Sequence, residues 1–173
     1  MNTQMTTRAQ GILTEERPFR VLFVCTGNTC RSPMAAALYN HMTLPREVCS
    51  ACADSVSLRG VAESAGLYAD NGAPITPEAA DALREAGVVS TPWNDYEAHT
   101  ARTVTREMVE SADLVVGITA GHAMELTMRF PECAGKIVAM PMDIADPFGQ
   151  GAAVYRACLM QLRYCLPLLG GAQ

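Results

Sequence analysis

The sequence predicts an α/β fold, a three-layer α/β/α sandwich around a four-stranded, mainly parallel sheet. Three observations carry that expectation. Short apolar runs recur at Val21–Val24, at Asp113–Ile118 and from Lys136, each too short for a helix and fit for a strand buried on both faces. Segments of helical apolar period separate them. The first run ends in a tight, glycine-containing loop that opens directly onto a helix start, the strand–loop–helix order of a parallel sheet.

Residues 1–18 are polar and unpatterned and lack the apolar core of a secretory signal, so a flexible lead-in is expected there. Residues 19–173 are expected to form one domain, a length that supports a sizeable core. After the strand at Val21–Val24, Ser32 reads as a helix N-cap with Pro33 at the first helical position, and "MAAALYNHM" continues the helix. "VSLRGVAESAGL", residues 56–67, supplies a second strand. "TPEAADALREAG" is a helix with Thr76 as its cap, Pro77 in its first turn and Gly87 at its end; Ile75, Ala79, Leu83 and Ala86 share one face. "TREMVESAD" opens another helix, capped by Thr105. Asp113–Ile118 is the third strand, "AGHAMELTMRF" a helix and "KIVAMP" the fourth strand. The last helix carries the stripe Val154, Cys158, Leu159, Leu162 and Cys165, is strained by Pro167 and stops at Gly170.

Composition excludes several functions. The net charge is −5 and Lys136 is the only lysine, so no basic stripe exists for nucleic acid. No apolar run is long enough to span a membrane. The seven cysteines are odd in number and scattered, unlike a secreted disulfide framework, and indicate a reducing, cytoplasmic compartment. Cys49 and Cys52 have metal-knuckle spacing, but no second pair exists to complete a zinc site. His41 and His122 are expected on helix surfaces. A monomer is expected.

The functional cluster is "VLFVCTGNTCRSP", Val21 to Pro33. A loop between a strand and a helix N-terminus points several backbone N–H groups at one spot, which makes an anion site. Thr26, Gly27, Asn28, Thr29, Cys30, Arg31 and Ser32 form that loop. Gly27 permits backbone angles closed to other residues, and Asn28 tolerates the left-handed region. Arg31 adds a planar fork for two phosphate oxygens. Cys25 lies at the base of the ring, where the dipoles and Arg31 favour its thiolate and the Ser32 hydroxyl can donate to its sulfur. The cluster reads as an activated nucleophile beneath a bound phosphoryl group.

A cysteine, five intervening residues, then Arg-Ser near the N-terminus resembles the low-molecular-weight protein phosphatases. "DIADPFGQ" supplies that family's distant Asp-Pro pair as Asp146-Pro147, and the resemblance covers roughly Arg20 to Leu169. It implies that Cys25 attacks phosphorus, that Arg31 and the loop amides hold the equatorial oxygens, and that Asp146 protonates the leaving group and then serves as base for water. It further implies that Ser64 supports Asn28 and that His99 joins the same network. Neither metal nor cofactor is required, because Arg31 and the amides neutralise the phosphoryl charge.

Within the family, Thr29 and the loop "CTGNTCRSPMA" are similar to the branch directed at phosphoarginine in proteins, as is Phe148 in "DPFG"; the tyrosine-directed branch usually has an apolar residue at the position of Thr29. Tyr68 and Phe148 are expected to wall the pocket. Phosphoarginine in a protein substrate is therefore the expectation, and phosphotyrosine the alternative. A non-catalytic phosphoprotein-binding module would be expected to lose Cys25, Arg31 or Asp146. An arsenate reductase would need two more closely spaced cysteines in mid-chain, where only Cys133 lies. A redox sensor remains as regulation added to catalysis, through a Cys25–Cys30 disulfide. "VVSTPWNDYEA", between Gly87 and His99, looks longer than the family link, with Trp93 and Tyr96 as an extra loop or partner surface.

Overall fold

The computed structural model describes residues 17–43 and 60–171. Of the expected lead-in, only Arg17 and Pro18 fall within it; the remainder, Cys49 and Cys52, and the first residues of the expected second strand lie outside the described residues. Four strands, β1 (Phe19–Cys25), β2 (Gly60–Gly66), β3 (Leu114–Gly117) and β4 (Ile137–Ala139), form one sheet in the order β2-β1-β3-β4. Every pairing is parallel. The chain runs from β1 outward to β2 and then returns past β1 to β3. The winding therefore reverses at β1, and the loops leaving the carboxyl ends of β1 and β3 diverge around a crevice.

β1 is central because its alternate residues enter two cores. Val21, Phe23 and Cys25 pack with α1 (Arg31–Thr43), α2 (Pro77–Glu85) and α5 (Ala152–Cys165). Leu22 and Val24 pack on the other face with Val109 of α3 (Arg106–Ser111) and Leu126 of α4 (Ala120–Arg129). This is the sandwich that the alternation of runs predicts. α1 shows no apolar stripe because it is buried almost all round, from Arg31 to Leu38 and again at Asn40.

Several local expectations are corrected. α1 starts at Arg31, with Met34 N donating to Cys30 O; Ser32 is no cap, because its hydroxyl turns inward to Cys25 and the Ala65 carbonyl. Thr76 stands at the N-cap of α2 but makes no cap bond, and its Oγ1 lies 3.5 Å from Cys30 Sγ instead. The helix ends at Glu85, so Ala86 leaves the helical rotation and is exposed, and Ala80 and Ala82 join Ala79 and Leu83 inside. On α5, Tyr155 rather than Val154 heads the buried stripe. Past Cys165 the chain tightens into a 3-10 turn over Leu166–Gly171. Thr105 caps α3 as expected, accepting from Met108 N.

The two aromatics of residues 88–98 part company. Tyr96 is buried and donates to Val88 O, while Asn94 Nδ2 donates to Ala37 O and fastens the segment to α1; Trp93 is 80% exposed. No described helix is long and apolar enough to cross a membrane.

Candidate active site

The site begins where β1 ends. Cys25 closes the strand, Thr26–Cys30 turn, and α1 leaves from Arg31. Asn28 makes the turn possible. Its φ of 58° lies in the left-handed region, which Asn tolerates better than most residues because its short polar side chain bonds locally. That side chain is fully buried and fully used: Nδ2 donates to Ser32 Oγ and to Ser64 Oγ, both at 2.9 Å, and Oδ1 accepts from Arg102 N at 2.9 Å. His99 Nε2 donates to the Asn28 carbonyl at 2.8 Å. The structure thus gathers Asn28, Ser64 and His99 into one network, and adds Arg102, to which the sequence assigned no role. Burial pushes the His99 imidazole below its usual range, against the opposing effect of that carbonyl bond.

Two groups converge on the Cys25 sulfur: Asn28 N–H at 3.4 Å and Ser32 Oγ at 3.0 Å. Ser32 has one hydrogen and two acceptors for it, Cys25 Sγ and the Ala65 carbonyl at 3.2 Å. With a thiol, the S–H donates to Ser32, which passes its own hydrogen to Ala65. With a thiolate, Ser32 turns its hydrogen onto sulfur. The Ser32 hydroxyl can therefore serve the sulfur as acceptor or as donor.

Arg31 is buried beside the loop. Its Nη2 donates to Asp146 Oδ2 at 2.7 Å and its Nη1 to Ile144 O at 3.2 Å. Nε is buried without a partner among the described residues. A buried donor left unmet costs about 1–3 kcal/mol, and an oxyanion held by the loop would meet it. Asp146 is half open, at 51% side-chain exposure, and is fixed from its own turn by Phe148 N donating to Oδ1 at 3.1 Å. The pair therefore joins a sequestered cation to a carboxylate facing solvent.

Thr29 is half-buried. Its carbonyl accepts from Thr76 N at 2.9 Å, and its hydroxyl lies 3.6 Å from Cys30 Sγ. Cys30 is itself held on the α5 side of the loop by Tyr155 OH at 3.3 Å. Cys158, also on α5, is pushed up to about 12 by burial and is an inert thiol at neutral pH. Tyr68 and Phe148 are both exposed. Tyr68 N donates to Thr26 O at 2.9 Å; its hydroxyl donates to Glu125 at 2.6 Å, and the Arg129 guanidinium lies 4.7 Å from its ring centroid. A groove of about 330 Å³ lies behind the loop, between α1, the β2 edge and residues 92–102, and does not open on Cys25.

Sequence reasoning misplaced His122. It is buried at the third position of α4, not on the helix surface. Its Nδ1 accepts from Thr119 N at 3.1 Å in a reciprocal capping box, and its Nε2 lies 2.9 Å from Thr26 Oγ1. A capping box is normally read from Glu or Gln at that position, so "TAGH" carried no signal. Tyr155 had one, its i−3 and i−4 spacing from Cys158 and Leu159.

Residues 20–169 match the family described as low molecular weight phosphotyrosine protein phosphatase. The chain is 37% identical over 153 residues to a protein-arginine-phosphatase of Geobacillus stearothermophilus, covering 84% of this chain and 89% of that one. It is 30% identical over 148 residues to a probable low molecular weight protein-tyrosine-phosphatase of Ralstonia nicotianae, covering 83% and 88%. Among solved structures, an arginine phosphatase mutant with a phosphorylated active-site serine in place of cysteine superposes with a TM-score of 0.71 at 31% identity, covering 88% of this chain and 94% of that one.

Proposed function

This chain belongs to the low molecular weight phosphotyrosine protein phosphatase family, and from that premise we propose that it hydrolyses phosphoarginine in proteins through a phosphocysteine on Cys25. The observation that carries the reaction is the grouping of Cys25, Arg31 and Asp146 on one loop and the turn that closes it. The Cys25 thiolate attacks phosphorus, forming S–P as the P–N bond to the guanidine breaks. Asp146, as the acid, gives its proton to the departing nitrogen. Water then attacks phosphorus, Asp146 takes a proton from it, S–P breaks, and orthophosphate leaves with the thiolate restored. Arg31 and the loop amides hold the equatorial oxygens throughout, so the developing charge is met by donors already in place. In this scheme Nη2 exchanges Asp146 for a phosphoryl oxygen, Nε gains its partner, and Asp146 is freed to face the leaving group.

Two features support arginine as the residue that bears the phosphoryl group. Thr29 puts a hydroxyl where an apolar side chain would leave only bulk, and the more similar of the two relatives above is a protein-arginine-phosphatase. A departing guanidine is planar and rich in N–H groups, so a half-open carboxyl group suits it, one oxygen accepting an N–H bond while the protonated oxygen gives up its proton. Phosphotyrosine is the second reading, favoured by the family description and the Ralstonia relative.

The deciding experiment compares turnover of a phosphoarginine protein and a phosphotyrosine peptide, with Cys25→Ser as the blank. A preference for phosphoarginine that weakens in Thr29→Ile is expected. A native preference for phosphotyrosine would overturn the arginine reading and leave the phosphocysteine chemistry in place. Absence of Cys25-dependent turnover on both would overturn that chemistry.

A further inference from the structure

His122 was expected to be a surface residue, and its actual place calls for a reason. A buried imidazole that only capped a helix would need one nitrogen. This one uses both, and the second reaches the residue that follows Cys25. The tautomer follows from the geometry. Nδ1 stands 3.1 Å from Thr119 N, which can only donate, and 2.9 Å from Thr119 Oγ1, whose hydroxyl can donate to it as well; with Nδ1 the acceptor of both, the ring hydrogen sits on Nε2. Nε2–H then donates to Thr26 Oγ1 at 2.9 Å. The Thr26 hydroxyl keeps its own hydrogen for another acceptor. Thr26 is exposed, unlike Cys25, Asn28, Cys30, Arg31 and Ser32 around it, so that hydrogen is available at the mouth of the loop.

We infer that His122 is a positioning residue of the phosphoryl site: its Nε2–H fixes the Thr26 hydroxyl so that Thr26 donates to an oxygen of the bound phosphoryl group. The link runs from the first turn of α4 to the β1–α1 loop, across the crevice at which the winding reverses. It braces a side-chain donor of the β1–α1 loop from the far wall of the crevice. The inference rests on the Cys25 loop as the phosphoryl site and is independent of whether arginine or tyrosine carries the group.

Competitive inhibition by orthophosphate tests it without a leaving group. Thr26→Val keeps the shape and removes the hydroxyl; it is expected to raise the inhibition constant about tenfold, the loss of one hydrogen bond to a charged group. Thr26→Ser is expected to stay near wild type. His122→Asn keeps an acceptor where Nδ1 stands, and so keeps the cap, but cannot reach Thr26; a rise of about three- to tenfold is expected. The double variant His122→Asn/Thr26→Val is expected to match Thr26→Val alone, because the two residues act as one unit. Nitrogen-15 NMR of the wild-type imidazole is expected to show the hydrogen on Nε2, a readout that holds even if a His122 variant unfolds. Inhibition unchanged in Thr26→Val, multiplicative effects in the double variant, or a ring protonated on Nδ1 would each overturn the inference. Failure of orthophosphate to inhibit the wild-type protein at all would sink the site assignment with it.

Discussion

Asp146 and Asn28 illustrate two kinds of residue at this site, one chemical and one conformational. Asp146→Asn keeps the turn, since the side-chain oxygen can still accept from Phe148 N, but removes the proposed acid. Turnover is expected to fall about 10²–10⁴-fold, in steady-state kinetics on whichever phosphorylated substrate the protein prefers. A loss below tenfold would mean that another group protonates the leaving nitrogen or oxygen. Asn28 touches no reacting atom except through its backbone, yet its side chain serves Ser32, Ser64 and Arg102 from a left-handed backbone. Asn28→Gly removes the bonds and keeps the backbone free; Asn28→Ala removes the bonds and adds left-handed strain of about 1–2 kcal/mol. Urea unfolding is expected to rank wild type above Gly above Ala, with the last two separated by roughly 1 kcal/mol. Equal losses would show that the turn relaxes. Cys25, Arg31 and Ser32 were legible because chemistry forces their spacing within one loop. Ser64, His99 and Asp146 were legible only through the family pattern, since nothing in their local sequence distinguishes them from turn and surface residues. His122 was legible from neither, because its partner lies 96 residues away and its cap is of an unusual type.

At the scale of elements, the closest approach that matters to the site is between β3 and α4. A Cβ on Gly117 would stand 2.4 Å from Ala123 N and 2.9 Å from its Cα, so only glycine lets the first turn of α4 lie against the strand end. Gly117→Ala must push that turn outward, and with it His122. A loss of about 1–3 kcal/mol in urea unfolding is expected from the overpacking, together with weaker orthophosphate inhibition as the Thr26 link lengthens. Normal inhibition in a destabilised protein would confine the effect to folding. The strands differ in how plainly they read. β1 and β3 are continuous apolar runs because both faces are covered. β2, "GVAESAG", is an edge strand with Glu63 exposed, and its sequence shows the pairing to β1 only vaguely. α1 was recognised by its Ser32-Pro33 start rather than by period, since a helix buried all round has no polar face to set a period. The errors at Ser32 and Thr76 share one cause. Both are hydroxyl residues at a helix start, where a local cap is the default; Ser32 turns instead to the Cys25 sulfur within its own loop, and Thr76 lies against the Cys30 sulfur, 46 residues away.

Across the whole molecule, these polar supports couple stability to pH. Burial is the first cause of the lowered imidazole pKa at both His99 and His122; Arg102 and Arg31 respectively push in the same direction, while the Asn28 carbonyl, Asp146, Glu125 and Asp143 oppose it. A group whose folded pKa is depressed binds its proton more readily in the unfolded chain. Between the two pKa values the unfolded state therefore carries more protons, and stability rises with pH. The two histidines contribute fully above their unfolded value of about 6.5 and lose that contribution as pH falls through their folded values. Asp113 acts in a lower window. Held by Arg17 and by Arg20 N, its carboxyl lies at about 2, so its contribution is present above the unfolded value of about 3.9 and is lost only as pH falls toward 2. Two separate descents in melting temperature are expected on acidification. The first, beginning below about pH 6.5, is expected to flatten in His99→Gln and His122→Asn. The second, below about pH 4, is expected to flatten in Asp113→Asn. The order has a physical reason: the histidines brace the active-site loop from within, whereas Asp113 ties the chain ahead of β1 to the start of β3 at the surface. Mild acid should therefore loosen the phosphoryl site before the sheet. Orthophosphate, by binding the folded loop, should raise the melting temperature most within the first window. A single descent insensitive to the histidine variants would mean that the loop and the sheet unfold together for reasons unrelated to these imidazoles.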